Sequence, residues 1–298
     1  MADRVVVFGG SGFIGSHVAD ALTAEGYDVA IFDRESSPYL REGQAMVQGD
    51  LLDREQVGDA VKGARYVFHF AGISDIGEST RFPRKTMEVN VMGTSTVLEA
   101  CVKARVERFI FASSMYVYCD LGSFYRVSKQ ACEKLIEEYS REFLLGYTIL
   151  RIGTPYGPRA NHFNSIRRML NQAFYDKKIV HEGIPDDIRD YIHVFDAAKE
   201  AVTVLEPAYV NKHVIVTGHQ TVPLGRLTTL IREMMPGDIE IEYKPRKETH
   251  HYHLTPYAFK PANAIKLIPQ TYHDLGQGLL ELMYELEGPF RGGGGARA

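Results

Sequence analysis

Three side chains of this sequence have the types and spacing to move a proton and steady a changing charge: Ser114, Tyr125 and Lys129. Ser113-Ser114 follows an apolar run, Arg108 to Ala112, that reads as a strand; Tyr125-Arg126-Val127-Ser128-Lys129 comes shortly after. On a helix expected over Phe124 to Phe143, Tyr125 and Lys129 are i and i+4, so phenol and ammonium share a face. A cation beside a phenol favours the phenolate and lowers its pKa from about 10. A phenol tuned in this way can take or return a hydroxyl proton while a hydride leaves the same carbon. Ser114 would hydrogen-bond the same oxygen, and Lys129 would also hold the ribose beside the hydride acceptor. Alone, a Tyr and a Lys four apart on an exposed helix face is a common pair. Its meaning comes from the elements before it.

Those elements begin at the first residues. Arg4 to Phe8 is a β-branched and aromatic run that stops at Gly9-Gly10-Ser11-Gly12-Phe13-Ile14-Gly15. Ser16 to Glu25 then reads as a helix, and Val29-Ala30-Ile31-Phe32 as a second strand ending in Asp33. Gly9 makes the tight turn, Gly12 lets the backbone approach a pyrophosphate, and Gly15 lets the helix pack closely against the strands. The helix N-terminus offers N–H groups and a positive dipole end to phosphates. Asp33 is placed to accept hydrogen bonds from ribose hydroxyls and would repel a 2′-phosphate, which favours NAD over NADP. Arg34 is the opposing signal, since a guanidinium suits a 2′-phosphate. Glycine-rich turns also occur in proteins that bind no dinucleotide; the helix and the acid give this one its specificity.

Strand and helix patterns go on alternating. Short strands are expected over Ala45 to Gln48, Tyr66 to Phe70 and Thr148 to Arg151, with helices over Arg54 to Lys62 and Lys85 to Ala104. Such alternation predicts an α/β fold, a doubly wound parallel sheet covered by helices, with ligands at the carboxyl ends of the strands. Past Thr154-Pro155-Tyr156-Gly157-Pro158-Arg159 the pattern loosens into helices over Phe163 to Tyr175, Val194 to Leu205, Leu224 to Met235 and Asp274 to Glu287. The expected division is a dinucleotide-binding domain over 1–155, a substrate-binding lobe over 156–290 and a flexible tail over 291–298. Part of 178–220, notably Val214-Ile215-Val216, can rejoin the large sheet.

The 298 residues carry a net charge of -4, with 45% hydrophobic and 24% charged residues, the balance of a globular protein. No long basic run supports nucleic-acid binding, and neither a signal peptide nor a long apolar run is evident, so a soluble cytoplasmic protein without a membrane partner is expected. Cys101, Cys119 and Cys132 form no paired motif and read as reduced thiols.

The motifs together resemble the extended short-chain dehydrogenase/reductase family, in its NAD-dependent epimerase/dehydratase branch. They are Gly9-x-x-Gly12-x-x-Gly15, Asp33, Asp50-Leu51, His69-Phe70-Ala71-Gly72, Asn90-x-x-Gly93-Thr94, Ser113-Ser114, Tyr125-x-x-x-Lys129, Tyr156-Gly157-Pro158-Arg159 and Arg189-Asp190-Tyr191-Ile192-His193-Val194. The run from His69, with Gly77-Glu78-Ser79 after it, is most similar to the UDP-galactose 4-epimerases. The resemblance implies NAD as cofactor, held by Gly9, Gly12, Phe13, Ile14, Gly15, Asp33, Asp50, Leu51, Phe70, Ala71, Gly72, Asn90, Tyr125 and Lys129. It implies a catalytic Ser114, Tyr125 and Lys129, and Arg189 on the nucleotide diphosphate of a sugar nucleotide, a UDP-sugar being favoured. Ser74 and Thr154 stand where the family often has sugar-nucleotide contacts, Lys and Asn respectively. The implied activity is epimerisation, favoured at C4 through a transient keto-sugar. A dehydrogenase or reductase with net turnover of cofactor, a dehydratase, and a non-catalytic dinucleotide sensor are the alternatives. The implied assembly is a homodimer through the helices of Lys85 to Ala104 and Phe124 to Phe143, although Leu135, Ile136 and Tyr139 fit a monomer core equally.

Several positions depart from the branch. Met115-Tyr116 occupies the place of the acid that sugar-nucleotide dehydratases carry after the catalytic Ser or Thr, which weighs against dehydration. The stretch between Ser114 and Tyr125 is short for the family, and the pattern after residue 240 is hard to match. Cys119 reads as packing, Arg167-Arg168 as a solvated helix face and His193 as satisfied within its turn; Met234-Met235 reads as core. His250-His251-Tyr252-His253, with Glu248, lacks a second ligand group of metal-site spacing, so no metal is expected. Tyr252, Tyr257 and Phe259 can line a substrate mouth.

Overall fold

Alternate residues of the central strands face opposite sides, and each side is apolar, so helices must cover both. The computed structural model, which describes residues 2–219, 221–245, 251, 265–267 and 271–287, has that arrangement. In chain order the first half runs β1 (Arg4–Phe8), α1 (Phe13–Ala24), β2 (Asp28–Asp33), β3 (Gln44–Gln48), α2 (Arg54–Ala60), β4 (Tyr66–His69), α3 (Ile76–Arg81), α4 (Pro83–Met87), a π-helical turn (Glu88–Met92), α5 (Gly93–Ala104), β5 (Arg108–Ser114), α6 (Ser123–Phe143) and β6 (Gly146–Ile152). The second half runs β7 (Thr154–Tyr156), α7 (Ser165–Asn171), β8 (Lys178–Glu182), β9 (Ile188–His193), α8 (Val194–Thr203), β10 (Lys212–Val216), β11 (Thr221–Pro223), α9 (Leu224–Met234), β12 (Glu240–Lys244), β13 (Ile265–Leu267) and α10 (Leu275–Glu287).

The large sheet is parallel throughout, in the order β13-β10-β6-β5-β4-β1-β2-β3. The chain starts inside the sheet at β1, builds outward to β3, then returns to β4 on the other side of β1. That reversal opens a crevice at the carboxyl ends of β1 and β4, the switch point at which open α/β sheets take ligands. Val6, Phe8, Phe109 and Phe111 pack beneath α2, α5 and α6, while Val5, Val7, Phe68, Ile110 and Leu150 pack against α1 and α8. Ile136 is fully enclosed in the first of these cores, with Leu135 and Tyr139 partly buried against it. Strand β10 carries Val214 to Val216 into the large sheet beside β6, and β13 adds a further strand from much later in the chain.

The remaining strands form a three-stranded sheet, β11-β9-β7, and a pair, β12-β8. Their core is Ile166, Met169, Leu170, Ile179, Leu227, Ile231, Leu279 and Leu282, with Met235 buried and Met234 at its edge. Two expected helices are interrupted. The stretch from Lys85 to Ala104 breaks into α4, the π turn and α5, and that from Phe163 to Tyr175 becomes α7 followed by a π turn over Gln172–Asp176. Periodicity along a sequence does not resolve such one-residue insertions, which gather at functional sites.

Candidate active site

A cleft of about 1350 Å³ lies across the carboxyl ends of the central strands. Of the residues expected to act, Gly9, Gly12, Phe13, Ile14, Gly15, Asp33, Asp50, Leu51, Phe70, Ala71, Gly72, Ser74, Ser114, Tyr125, Lys129, Thr154 and Arg189 all line it. Gly9 has φ of 78°, and a Cβ there would collide with the backbone of Ala71. A Cβ on Gly15 would collide with the Gly9 carbonyl, so this glycine is demanded by the turn's own backbone rather than by a neighbouring strand. Gly12 is the N-cap of α1 and supplies no side chain to cap it, so the helix end faces the cleft without a competing ligand of its own. Asp33 Oδ2 accepts from Ser11 N at 3.1 Å and Oδ1 from Glu35 N at 3.3 Å, which fixes the carboxylate at the end of β2. Each oxygen keeps a further lone pair for a hydroxyl donor. A backbone turn with no room for Cβ atoms, an uncapped helix end and an oriented carboxylate fit a dinucleotide: the turn and helix end would hold the pyrophosphate, Asp33 the adenosine ribose.

Asn90 stands apart from this set. It is 3% exposed, lies beneath the loop that follows β4 and is not among the residues lining the cleft. Its Oδ1 accepts from Ile73 N at 2.7 Å, and its Nδ2 donates to Ile73 O at 3.0 Å and Ser128 Oγ at 2.9 Å. A side chain so occupied has little left for a ligand; it pins the loop instead. Gly72 makes this possible, because a Cβ there would sit 2.8 Å from Asn90 Oδ1. The π turn carries Asn90 inward, and its carbonyl accepts from Thr94 Oγ1 and from Cys132 Sγ at 3.2 Å.

Ser113 and Ser114 are the last two residues of β5, and Tyr125 and Lys129 lie on the first turns of α6. Helix α6 starts from Gly122 in a left-handed conformation, without a side-chain cap of its own. A neighbouring helix supplies what it lacks. Ser79 Oγ of α3 accepts from Tyr125 N at 3.3 Å, and Thr80 Oγ1 bonds Ser123 Oγ at 2.9 Å. The Gly77-Glu78-Ser79 segment therefore anchors the helix end that bears the phenol. Lys129 is buried; its Nζ donates to Ala112 O at 2.7 Å and lies 4.6 Å from the centroid of the Phe111 ring and 5.8 Å from that of Tyr125. Burial pushes its pKa down to about 8, so it is still mainly a cation at neutral pH. Ser114 is buried at the cleft floor, where its Oγ accepts from Tyr116 N at 3.3 Å.

Behind the serines lies a buried ion pair that no local pattern announces. Glu133 of α6 accepts from Arg151 of β6 at Oε1 (3.1 Å, from Nε) and Oε2 (2.6 Å, from Nη2), and Oε1 also accepts from Ser113 Oγ. Burial alone would raise the Glu133 pKa; His213, Arg151 and Ser113 outweigh it and hold it at about 2. Arg151 also donates to Tyr118 Oη at 2.8 Å, so the network ties α6, β5 and β6 together under the reacting groups.

Thr154 of β7 and Arg189 of β9, on paired strands with Thr154 opposite Tyr191, also line the cleft, as does Arg168. Arg168 is exposed on its helix, as expected, while also lining the cleft, and Arg167 pairs with Glu285 at 3.1 Å. Among the cleft residues that the sequence did not single out are Tyr116 and His251. Tyr116 packs edge-on against Tyr125, ring centroids 6.2 Å apart, and its hydroxyl lies 2.6 Å from His251 Nδ1. In the sequence, Tyr116 stands only where dehydratases carry an acid, and His251 only within a histidine run. His193 caps α8, its Nδ1 accepting from Phe195 N at 3.4 Å, and Cys119 Sγ turns onto the carbonyls of Tyr116 and Leu121. Among the described residues no group of three or more His, Cys, Asp and Glu could hold a metal, and no helix is long and apolar enough to cross a membrane. Glu248, His250, Tyr252, His253, Tyr257, Phe259 and residues 291–298 lie outside the described residues.

A glycine turn at the switch point, an acid at the end of β2 and a Ser–Tyr–Lys set over the same cleft define an NAD-dependent protein of the extended short-chain dehydrogenase/reductase type. Residues 5–218 match the NAD dependent epimerase/dehydratase family, and the chain belongs to it. The bifunctional protein gal10 of Schizosaccharomyces pombe is 30% identical over 260 residues, which is 70% of this chain; the chain spans only 36% of that longer protein. A dTDP-glucose 4,6-dehydratase of Mycobacterium tuberculosis is 27% identical over 257 residues, covering 78% of this chain and 77% of the relative. The crystal structure of a UDP-glucose 4-epimerase from Thermotoga maritima, with UDP-glucose, superposes with a TM-score of 0.82 at 25% identity, covering 95% of this chain and 99% of the other.

Proposed function

We propose that this chain is an NAD-dependent nucleotide-sugar epimerase that inverts C4 of a UDP-sugar. What carries the reading is one juxtaposition: the Ser114, Tyr125 and Lys129 set shares one cleft with the glycine turn and with Arg189. When bound, NAD supplies the hydride acceptor and donor. Tyr125 takes the proton of the sugar hydroxyl, and the nearby Lys129 ammonium stabilises the phenolate that this requires. Ser114 donates to the same oxygen as its charge changes. Lys129 also orients the nicotinamide ribose, and Arg189 binds the diphosphate, where a guanidinium fork suits phosphate oxygens. Thr154 and Ser74 are assigned to the sugar nucleotide beside them. Asp50, Leu51 and the Phe70–Gly72 loop enclose the cofactor, with Asn90 holding that loop from below. Once the sugar is a ketone it turns over in the cleft and takes the hydride back on its other face.

The absence of an acid at Met115 and Tyr116 supports inversion over dehydration. Purified protein that interconverts UDP-glucose and UDP-galactose without accumulating NADH would bear this out. Inactivity against a panel of UDP-, GDP- and dTDP-sugars would refute it, and steady NADH formation would assign a net dehydrogenase instead. We also assign a homodimer through the α5 and α6 side of the molecule, where Met92, Phe124 and Val127 are exposed. Sedimentation at a monomer's mass would overturn that assignment.

A further inference from the structure

We propose that Arg159 is a positioning residue that latches the loop between β2 and β3 along α1, and so keeps NAD in the cleft while the ketone turns over. The inference rests on the reading above in placing the adenosine at Asp33 and in needing the same hydride back. That loop, residues 34–43, contains no helix or strand. It leaves the cleft at Asp33 and Arg34 and is held at three places. Ser11 Oγ of the glycine turn donates to Glu35 O at 2.8 Å. At the far end Arg41 pairs with Asp20 of α1 at 2.9 Å, and Gln44 Nε2 donates to Asp20 Oδ1 at 3.1 Å. The middle is held by a residue from much later in the chain. The Arg159 guanidinium lies 4.6 Å from the centroid of the Tyr39 ring, and its Nη2 donates to Asp20 Oδ2 at 2.8 Å.

Three observations set this contact apart from an ordinary surface pair. The Arg159 and Asp20 side chains are 15% and 11% exposed, so salt screens them far less than it screens exposed Arg41. Arg159 has φ of 62°, a left-handed conformation rare for a long side chain, and strain of this kind gathers at ligand clamps. The guanidinium is also used twice, through an N–H on the carboxylate and through its face on the ring, which a lysine cannot reproduce. Arg159 belongs to the turn that leads into the substrate lobe: Thr154 and Pro155 before it and Asn161 after it line the cleft. His17 of α1 donates from Nε2 to Pro158 O at 3.0 Å, so that turn and the adenosine loop dock on the same helix. Epimerisation needs the reduced cofactor to outlast the ketone. Before this loop can swing away from Asp33 it must break a shielded ion pair and a ring contact, which slows dissociation.

The test follows exchange of bound NAD for isotopically labelled NAD in the full-length holoenzyme, read by mass spectrometry of the protein-bound fraction. A left-handed φ suits glycine, so Arg159→Gly keeps the turn and removes the latch. Tyr39→Leu removes the ring and Tyr39→Phe keeps it. Exchange at least about tenfold faster is expected in Arg159→Gly and in Tyr39→Leu, with no further gain when the two are combined. Tyr39→Phe should exchange at the wild-type rate. At saturating NAD the turnover of these variants should stay within about twofold of wild type. After dilution without NAD, Arg159→Gly and Tyr39→Leu should lose activity that added NAD restores. Unchanged exchange in Arg159→Gly and Tyr39→Leu, with a wild-type chain that binds NAD, overturns the latch and leaves the Asp33 assignment standing. Should Arg159→Gly fail to fold, the two Tyr39 variants decide alone. Faster exchange in Tyr39→Phe as well, with an equal loss of turnover at saturating NAD, reports general loosening and overturns the latch too. Equal NAD affinity in Asp33→Ala overturns the adenosine assignment beneath it, and a wild-type chain that binds no NAD overturns both.

Discussion

Replacing Glu133 by Gln removes one charge from a buried pair and leaves the Arg151 guanidinium facing an amide. The two side chains are 6% and 8% exposed, so water screens neither. The carboxylate accepts two bonds from Arg151 and one from Ser113, and His213 Nδ1 lies 3.6 Å away. Breaking a buried pair by removing one partner costs roughly 3–5 kcal/mol, because the surviving charge stays desolvated. At roughly 2–4 °C per kcal/mol for chains of about this size, the melting temperature should fall by about 6–20 °C. The strands and helix joined by the network carry Ser114, Tyr125 and Lys129, so turnover should fall as well, even well below the new melting point. A paired replacement, Glu133→Leu with Arg151→Met, removes both charges and should recover most of the lost stability. Urea unfolding of Glu133→Leu, Arg151→Met and the paired variant supplies the cycle. A loss below about 1 kcal/mol in Glu133→Gln, or a paired variant as unstable as the sum of its singles, would refute the assignment of a charge-balanced core behind the serines.

Tyr125→Phe keeps the ring and removes the proton carrier; turnover should fall by at least about two orders of magnitude while NAD binding, read by calorimetry, is retained. Asn90→Ala leaves the half-buried Ile73 amide without its acceptor, costing about 1–3 kcal/mol and weakening NAD affinity. Equal NAD affinity in the two proteins would count against the pinned loop. Burial holds His17 and His193 at about 4 and His69 at about 3, below the unfolded value of 6.5. The unfolded chain therefore binds more protons in this range, and stability is complete above pH 6.5 and lost as the pH falls through the folded values. The slope is up to about 1.4 kcal/mol per pH unit for each ring, measurable as falling urea midpoints from pH 7 to pH 5. Glu133, depressed to about 2, adds its own loss only once the pH drops below its ordinary 4.5. A flat midpoint between pH 7 and pH 5 would contradict the neutral buried rings.

The opening unit was legible because everything it needs lies within a few residues. Gly9 must take a positive φ, Gly12 must cap a helix without a side chain, and Asp33 must end the next strand. Those demands are written in residue type and spacing. The parallel sheet was legible for the same reason, since β-branched runs alternate with helical ones and handedness restricts how they connect. The pairing of Tyr125 with Lys129 needs only one helix turn.

What escaped depends on partners brought together across the chain. Asn90 finds its partners in Ile73 and Ser128, which lie 17 and 38 residues away. Glu133, Arg151, Ser113 and His213 come from three strands and a helix, and no spacing rule links them. Tyr116 and His251 meet although they are far apart in the sequence. Sequence determines directly what short-range backbone geometry and periodic burial enforce; only tertiary packing decides which polar groups end up sharing a desolvated space, and there each charge or hydrogen bond takes its value from neighbours the chain does not place beside it.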